Sequence, residues 1–190
     1  MEKYQVYLIV VNSLSFLFCY LFFLIGSLKI KKYLNFFTLF FSLLGATFGV
    51  LLFFVLFDRK MTKENALYLI FIICLFIIQL VIYLIFNKIL NNIYFSSFIF
   101  TRYFWSYLLL INIVSFFIYG LDKYKALHNK KRIKIVTLFI LAFLGGSLGS
   151  MFAMYLFRHK TNKVYFKYGI PLILVTQFTV FFFFISFKFF

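Results

Sequence analysis

The densest group of side chains able to do chemistry is Arg158-His159-Lys160-Thr161, with Lys163 close behind. So many donors within six residues suit a phosphate or a carboxylate, and His159 is of the type that titrates near neutral pH. The competing reading is an interfacial anchor, because Lys and Arg at the end of an apolar span reach back to lipid headgroups. Asp122-Lys123 with Arg132 forms a second cluster. Asp122 is the only acid in the second half of the chain, so an ion pair with a neighbouring Lys or Arg is its expected role and proton coupling the alternative. Asn112, Ser115, Tyr119 and Asp122 follow at i, i+3, i+7 and i+10, which puts them on one helical face. Such a ladder is either interhelical hydrogen bonding, the favoured reading, or the wall of a polar pathway.

Small residues make the second pattern. Gly145, Gly146 and Gly149, with Ala142 and Ala153, form a stripe, and Gly45 and Gly49 repeat it a hundred residues earlier. Spacing of this kind lets two membrane helices approach closely, and it leaves room for a homo-oligomer. A phosphate-cradling loop is not expected, since the glycines lie inside an apolar run rather than after a strand.

These clusters sit in a chain of 190 residues that is 65% hydrophobic, with 34 Phe and 14 Tyr and a mean hydropathy of +1.05. A soluble domain is nearer half apolar, so the chain reads as membrane material throughout. Net charge is +16. Because the charges fall in short clusters between apolar runs, the expected polyanion is the lipid surface with its anionic headgroups, not nucleic acid. Cys19 and Cys74 lie inside apolar runs without ligand-spaced partners, so neither a disulfide framework nor a metal site is expected. Nothing spells a hydrolase triad or a carboxylate pair; no catalytic residue is assigned and no cofactor is expected. The abundance of Phe, Ile, Lys and Asn fits an AT-rich bacterial genome. The opening run is too long for a signal-peptide core and reads as a retained first helix.

Six charge-free runs mark candidate spans at 4–28, 35–57, 65–87, 103–121, 135–157 and 168–187, each long enough to cross hydrocarbon as a helix. The chain also matches itself at an offset of one hundred. Asn12, Ser15 and Phe16 fall on Asn112, Ser115 and Phe116, and Gly45 and Gly49 on Gly145 and Gly149. Gln79 and Gln177 do not register. Three spans per copy is an odd number, which predicts an all-α membrane protein of six transmembrane helices in a tandem, inverted 3+3 repeat. The copies are residues 1–95 and 101–190. On that topology the positive charges divide eleven against nine between the two faces. The basic segment after Asp122 tilts both termini toward the cytoplasmic side of a bacterial inner membrane.

The second copy carries Tyr119-Gly120-Leu121-Asp122-Lys123, then Gly145-Gly146-Ser147-Leu148-Gly149, then Arg158-His159-Lys160-Thr161. Over about residues 110–177 this resembles the bacterial membrane family catalogued as domain of unknown function 1294. The resemblance implies a small integral membrane protein and no activity. The first copy departs from it, with Phe22 for Asp122, Ala46 for Gly146 and Asp58-Arg59-Lys60 for Arg158-His159-Lys160, and reads as a degenerate scaffold. The function expected is a small transporter, channel or flippase for an anionic solute or headgroup. The alternatives are a membrane-embedded lipid-modifying enzyme, which would need a second acid/base partner near His159, and a structural or regulatory subunit.

Overall fold

The computed structural model describes residues 3–25, 37–57, 66–86 and 102–186, and every regular element among them is helical. The elements are α1 (Lys3–Ile25), α2 (37–43), α3 (Thr47–Phe57), α4 (Ala66–Phe86), α5 (Arg102–Leu127), α6 (Ile135–Leu141), α7 (Ser147–Leu156) and α8 (Val164–Ser186). The expected link at 90–101 and the basic segments 29–34 and 58–65 lie outside the described residues. The chain divides into two compact units, Met1–Leu80 and Val81–Phe190, the boundary falling within α4.

Burial is inverted relative to a water-soluble protein. Phe117, Phe152 and Phe182 are each more than 60% exposed, while Ser115, Asp122 and Ser150 are fully buried. Large apolar side chains outside and polar ones inside are what a lipid solvent requires. Four described helical stretches are long and apolar enough to cross a membrane: Ala66–Leu84, Arg102–Leu127, Ile135–Leu156 and Val164–Phe183. Six are not found. Val6–Leu21, a stretch within the longer α1, and Thr47–Phe57, which is α3, are shorter apolar stretches.

Of those four, Ile135–Leu156 does not run straight. The backbone N–H of Ile133 and Nε2 of His159 each lie 2.9 Å from an oxygen of the same side chain, Asp122. A straight helix of 22 residues would hold its ends about 33 Å apart, so the chain must turn back between them. It turns at Gly145, whose φ of +113° breaks the helix, a conformation costly for any residue with a Cβ. The contacts of α7 run parallel to α5: Gly149 N–H bonds Asn112, Phe157 packs on Phe116, and His159 reaches Asp122. The stretch expected as the fifth span is therefore a hairpin, α6 down and α7 back.

The first unit also has a turn at a glycine. Gly45 has φ +99° between α2 and α3. Phe37 packs on Phe18, the Leu44 carbonyl accepts from Tyr7, Gly49 N–H bonds Asn12, and Phe57 packs on Tyr20. The chain passes from the level of residue 18 to that of residue 7 and returns to that of residue 20. The second expected span is thus also folded back. The premise of three crossings per copy, from which inversion was argued, fails in each unit. Apolar length alone predicts a crossing, whereas one glycine in the left-handed region redirects the chain.

Candidate functional site

The site of the second unit is assembled by this turn. Breaking a helix in apolar surroundings frees backbone groups that must find partners. Asn112 on α5 supplies two of them: its Nδ2 donates to the Gly145 carbonyl at 2.9 Å, as well as to the Leu108 carbonyl at 2.7 Å, and its Oδ1 accepts from Gly149 N–H at 2.7 Å. Gln177 on α8 donates to the Ala142 and Phe143 carbonyls and accepts from the Ser147 hydroxyl. The Tyr107 hydroxyl donates to the Leu144 carbonyl at 2.7 Å. Close approach of α5 and α7 depends on Gly149, since a Cβ there would collide with the backbone of Asn112. Gly146 faces Ser115 in the same crowded seam.

Above the break, Ser115 and Ser150 hydroxyls bond one another at 2.6 Å. Tyr119 follows one turn on. It is fully buried and its ring meets Phe166 edge-on. Ser150 lies near its hydroxyl, yet that oxygen makes no well-formed hydrogen bond among the described residues.

At the open end of the hairpin the fully buried Asp122 gathers three donors. Lys160 Nζ lies at 2.7 Å and His159 Nε2 at 2.9 Å, both side chains 14% exposed, and Ile133 N–H completes the set. A carboxylate paired with an ammonium only accepts, so Nε2 carries the hydrogen on His159. Lys160 also sits 4.6 Å over the ring of Phe166. Burial pulls the Lys160 ammonium below its usual value, the Asp122 carboxylate opposes that fall, and Arg132 nearby adds to it. Arg158 and Lys160 carry positive φ, 45° and 63°, and this tight turn is what aims His159 and Lys160 together at Asp122.

The structure thus joins Asp122 to His159 and Lys160, which the six-span topology had placed on opposite faces. Arg132 and Arg158 are exposed and Lys123 is half-buried. Asn112 belongs to the break, Ser115 and Tyr119 to the seam between break and cluster. No group of three His, Cys, Asp or Glu side chains able to hold a metal occurs among the described residues. Gln177, Tyr107, Ser147 and Ser150 are the participants that sequence reasoning passed over. Gln177 had a signal: it bonds the carbonyl of residue 142 as Gln79 bonds that of residue 42. The two glutamines stand 98 apart, so a gapless offset of one hundred separates them.

A folded-back hairpin, tied to flanking helices by Asn, Gln and Tyr and closed by one buried carboxylate, defines a class of small helical membrane domain. The family model described as "Protein of unknown function (DUF1294)" matches residues 112–166, from the asparagine at the break to the phenylalanine beneath Lys160. "Uncharacterized protein YsdA" of Bacillus subtilis (strain 168) is 46% identical over 72 residues, 38% of this chain and 81% of that protein. The chain belongs to this family. No solved structure matches it.

Proposed function

We propose that the protein is a tandem repeat of two folded-back units that moves, or flips across the bilayer, a small anionic solute or lipid headgroup. The observation that carries this reading is the hairpin turning at Gly145 within the apolar part of the second unit. Irregular backbone at membrane depth is tolerated where it is packed in protein or lines a cavity, and interrupted helices are the usual place where transporters build their sites. The Tyr119 hydroxyl, which makes no well-formed hydrogen bond among the described residues, belongs to the seam between this break and the Asp122 cluster, and the rim of that cluster carries exposed Arg132, Arg158 and Lys163, which suits an anion. The repeat is supported by matched hydrogen bonds. Tyr7 and Tyr107, Asn12 and Asn112, and Gly49 and Gly149 make equivalent contacts within their own units.

A lipid-modifying enzyme is the second reading. It is favoured by the contact of His159 with Asp122, which supplies the acid/base partner such an enzyme needs.

Purified protein in vesicles containing phosphatidylglycerol tests the first reading by two measurements. One is the loss of fluorescent-lipid signal to external dithionite, and the other is efflux of trapped phosphate. Faster movement than in protein-free vesicles by either measurement, lost in Asp122→Asn, is the expected result. Rates equal to protein-free vesicles in both would dispose of transport.

A further inference from the structure

The fold-back has a consequence for sidedness that needs no transport activity. Segments 123–134 and 158–167 carry six and four Lys and Arg. Were Ile135–Leu156 a crossing helix, these segments would lie on opposite membrane faces and their charges would oppose each other as topogenic signals. Instead both segments meet at Asp122. Ten cations gather at one end of the second unit, and among the described residues of that unit Arg102 stands alone at the other. The single acid of that end is buried and committed to His159, Lys160 and Ile133, so it neutralises little of the surface. Lys130, Lys131, Arg132, Lys134, Lys163 and Lys167 are all exposed.

Tyrosines ring the same end. Tyr124 and Tyr168 are 50% and 57% exposed, with Lys130 over the ring of the first and Lys167 over that of the second. Tyr and Lys or Arg side by side at the mouth of apolar helices are what the headgroup region selects. A charge bias of this size directs a segment to the cytoplasmic face, where anionic lipids attract clustered Lys and Arg.

We infer that the hairpin of the second unit is re-entrant, so that its two basic segments form one cytoplasmic surface that docks the anionic headgroups of the inner leaflet. In this geometry 123–134 and 158–167 share a face, and the start of α5 lies on the other.

Two measurements test it. Lys131→Cys, Lys163→Cys and Arg102→Cys are made separately in the parent, whose Cys19 and Cys74 are buried, and treated with a membrane-impermeant maleimide. Positions 131 and 163 should react only after permeabilisation, and position 102 in intact cells. Reaction of 131 and 163 from opposite sides, or of both in intact cells, overturns the inference. The purified protein is then heated in detergent with added phosphatidylglycerol, phosphatidylcholine or inorganic phosphate. Phosphatidylglycerol alone should raise the midpoint, by an amount that shrinks in high salt and at least halves in Lys130→Gln/Lys131→Gln/Arg132→Gln. Equal shifts for the two lipids, a shift reproduced by inorganic phosphate, or an undiminished shift in the triple variant overturns the lipid surface.

Discussion

Ile133 and His159, 26 positions apart in the chain, end on the two oxygens of one carboxylate, that of Asp122. The entry and exit of the hairpin are therefore fastened to the same point on α5. Lys160, bonded to the same carboxylate, balances its charge, so the clasp is a buried ion pair as well as a hydrogen-bond junction.

Removing the carboxylate should open that clasp. Asp122→Ala leaves the Lys160 ammonium, the His159 ring and the Ile133 amide without their partner, and breaking a buried pair from one side costs about 3–5 kcal/mol. Thermal unfolding in detergent should show a large fall in midpoint. His159→Ala, which keeps the Asp122–Lys160 pair, should lose clearly less. Equal losses from the two substitutions would mean that the lysine contributes nothing.

Asn112 should matter for the turn rather than for the clasp. Asn112→Ala frees the Gly145 carbonyl and the Gly149 amide together. Polar contacts between membrane helices average about 0.6 kcal/mol and reach about 1.7, and a residue serving two freed groups belongs at the upper end. Asn12→Ala should act in the same direction through the first unit, where Asn12 bonds the Gly45 carbonyl and Gly49 amide. A denaturation series in mixed micelles compares them. If Asn112→Ala is silent, the side chain does not tie the break.

Much of this fold was legible. The apolar runs anticipate α1, α4 and α8 to within a few residues and the start of α5, which runs six residues past the expected end at 121, and the i, i+3, i+7, i+10 spacing does place Ser115, Tyr119 and Asp122 inside the unit. The hairpins were not legible. Hydropathy reports how apolar a run is, and Gly145 has the same hydropathy whether φ is helical or +113°. Small-residue spacing predicts helix contact, which describes Gly149 and misses Gly145, a turn residue. The partnership of Asp122 with His159 and Lys160 was hidden for the same reason, since a crossing helix between them forbids it. A match at one fixed offset hides Gln177, which stands 98 positions from Gln79. Its role becomes visible through the carbonyls it bonds.

The two glycine positions should separate by mechanism. At Gly145 the cost of a side chain is conformational, since φ +113° disfavours any Cβ by an amount on the order of 1–2 kcal/mol, and nearby Leu108 and Ile111 side chains can shift. At Gly149 the obstacle is the backbone of Asn112, which cannot shift without parting α5 from α7. Gly149→Ala should therefore lower yield and midpoint more than Gly145→Ala, and Leu148→Ala, an exposed position, should change little. The reverse order would indicate that strain at the turn, and not the close approach, limits the hairpin.

Tyr119 separates packing from function. Its hydroxyl is buried without a well-formed partner among the described residues, and an unsatisfied buried polar group costs about 1–3 kcal/mol. If the hydroxyl has no task, Tyr119→Phe keeps the ring contact with Phe166, removes the penalty, and leaves the midpoint unchanged or raised by the equivalent of about 1 kcal/mol. A transporter has reason to keep such a group, because a transient polar partner for a passing anion or proton must be unoccupied between events. The expected outcome is thus a variant at least as stable as the parent whose phosphate efflux or lipid movement in vesicles falls at least tenfold. A drop in stability would show that the hydroxyl is bonded in the folded protein. Retained stability with parental rates would leave Tyr119 a packing residue and remove the seam between the break and Asp122 from any pathway.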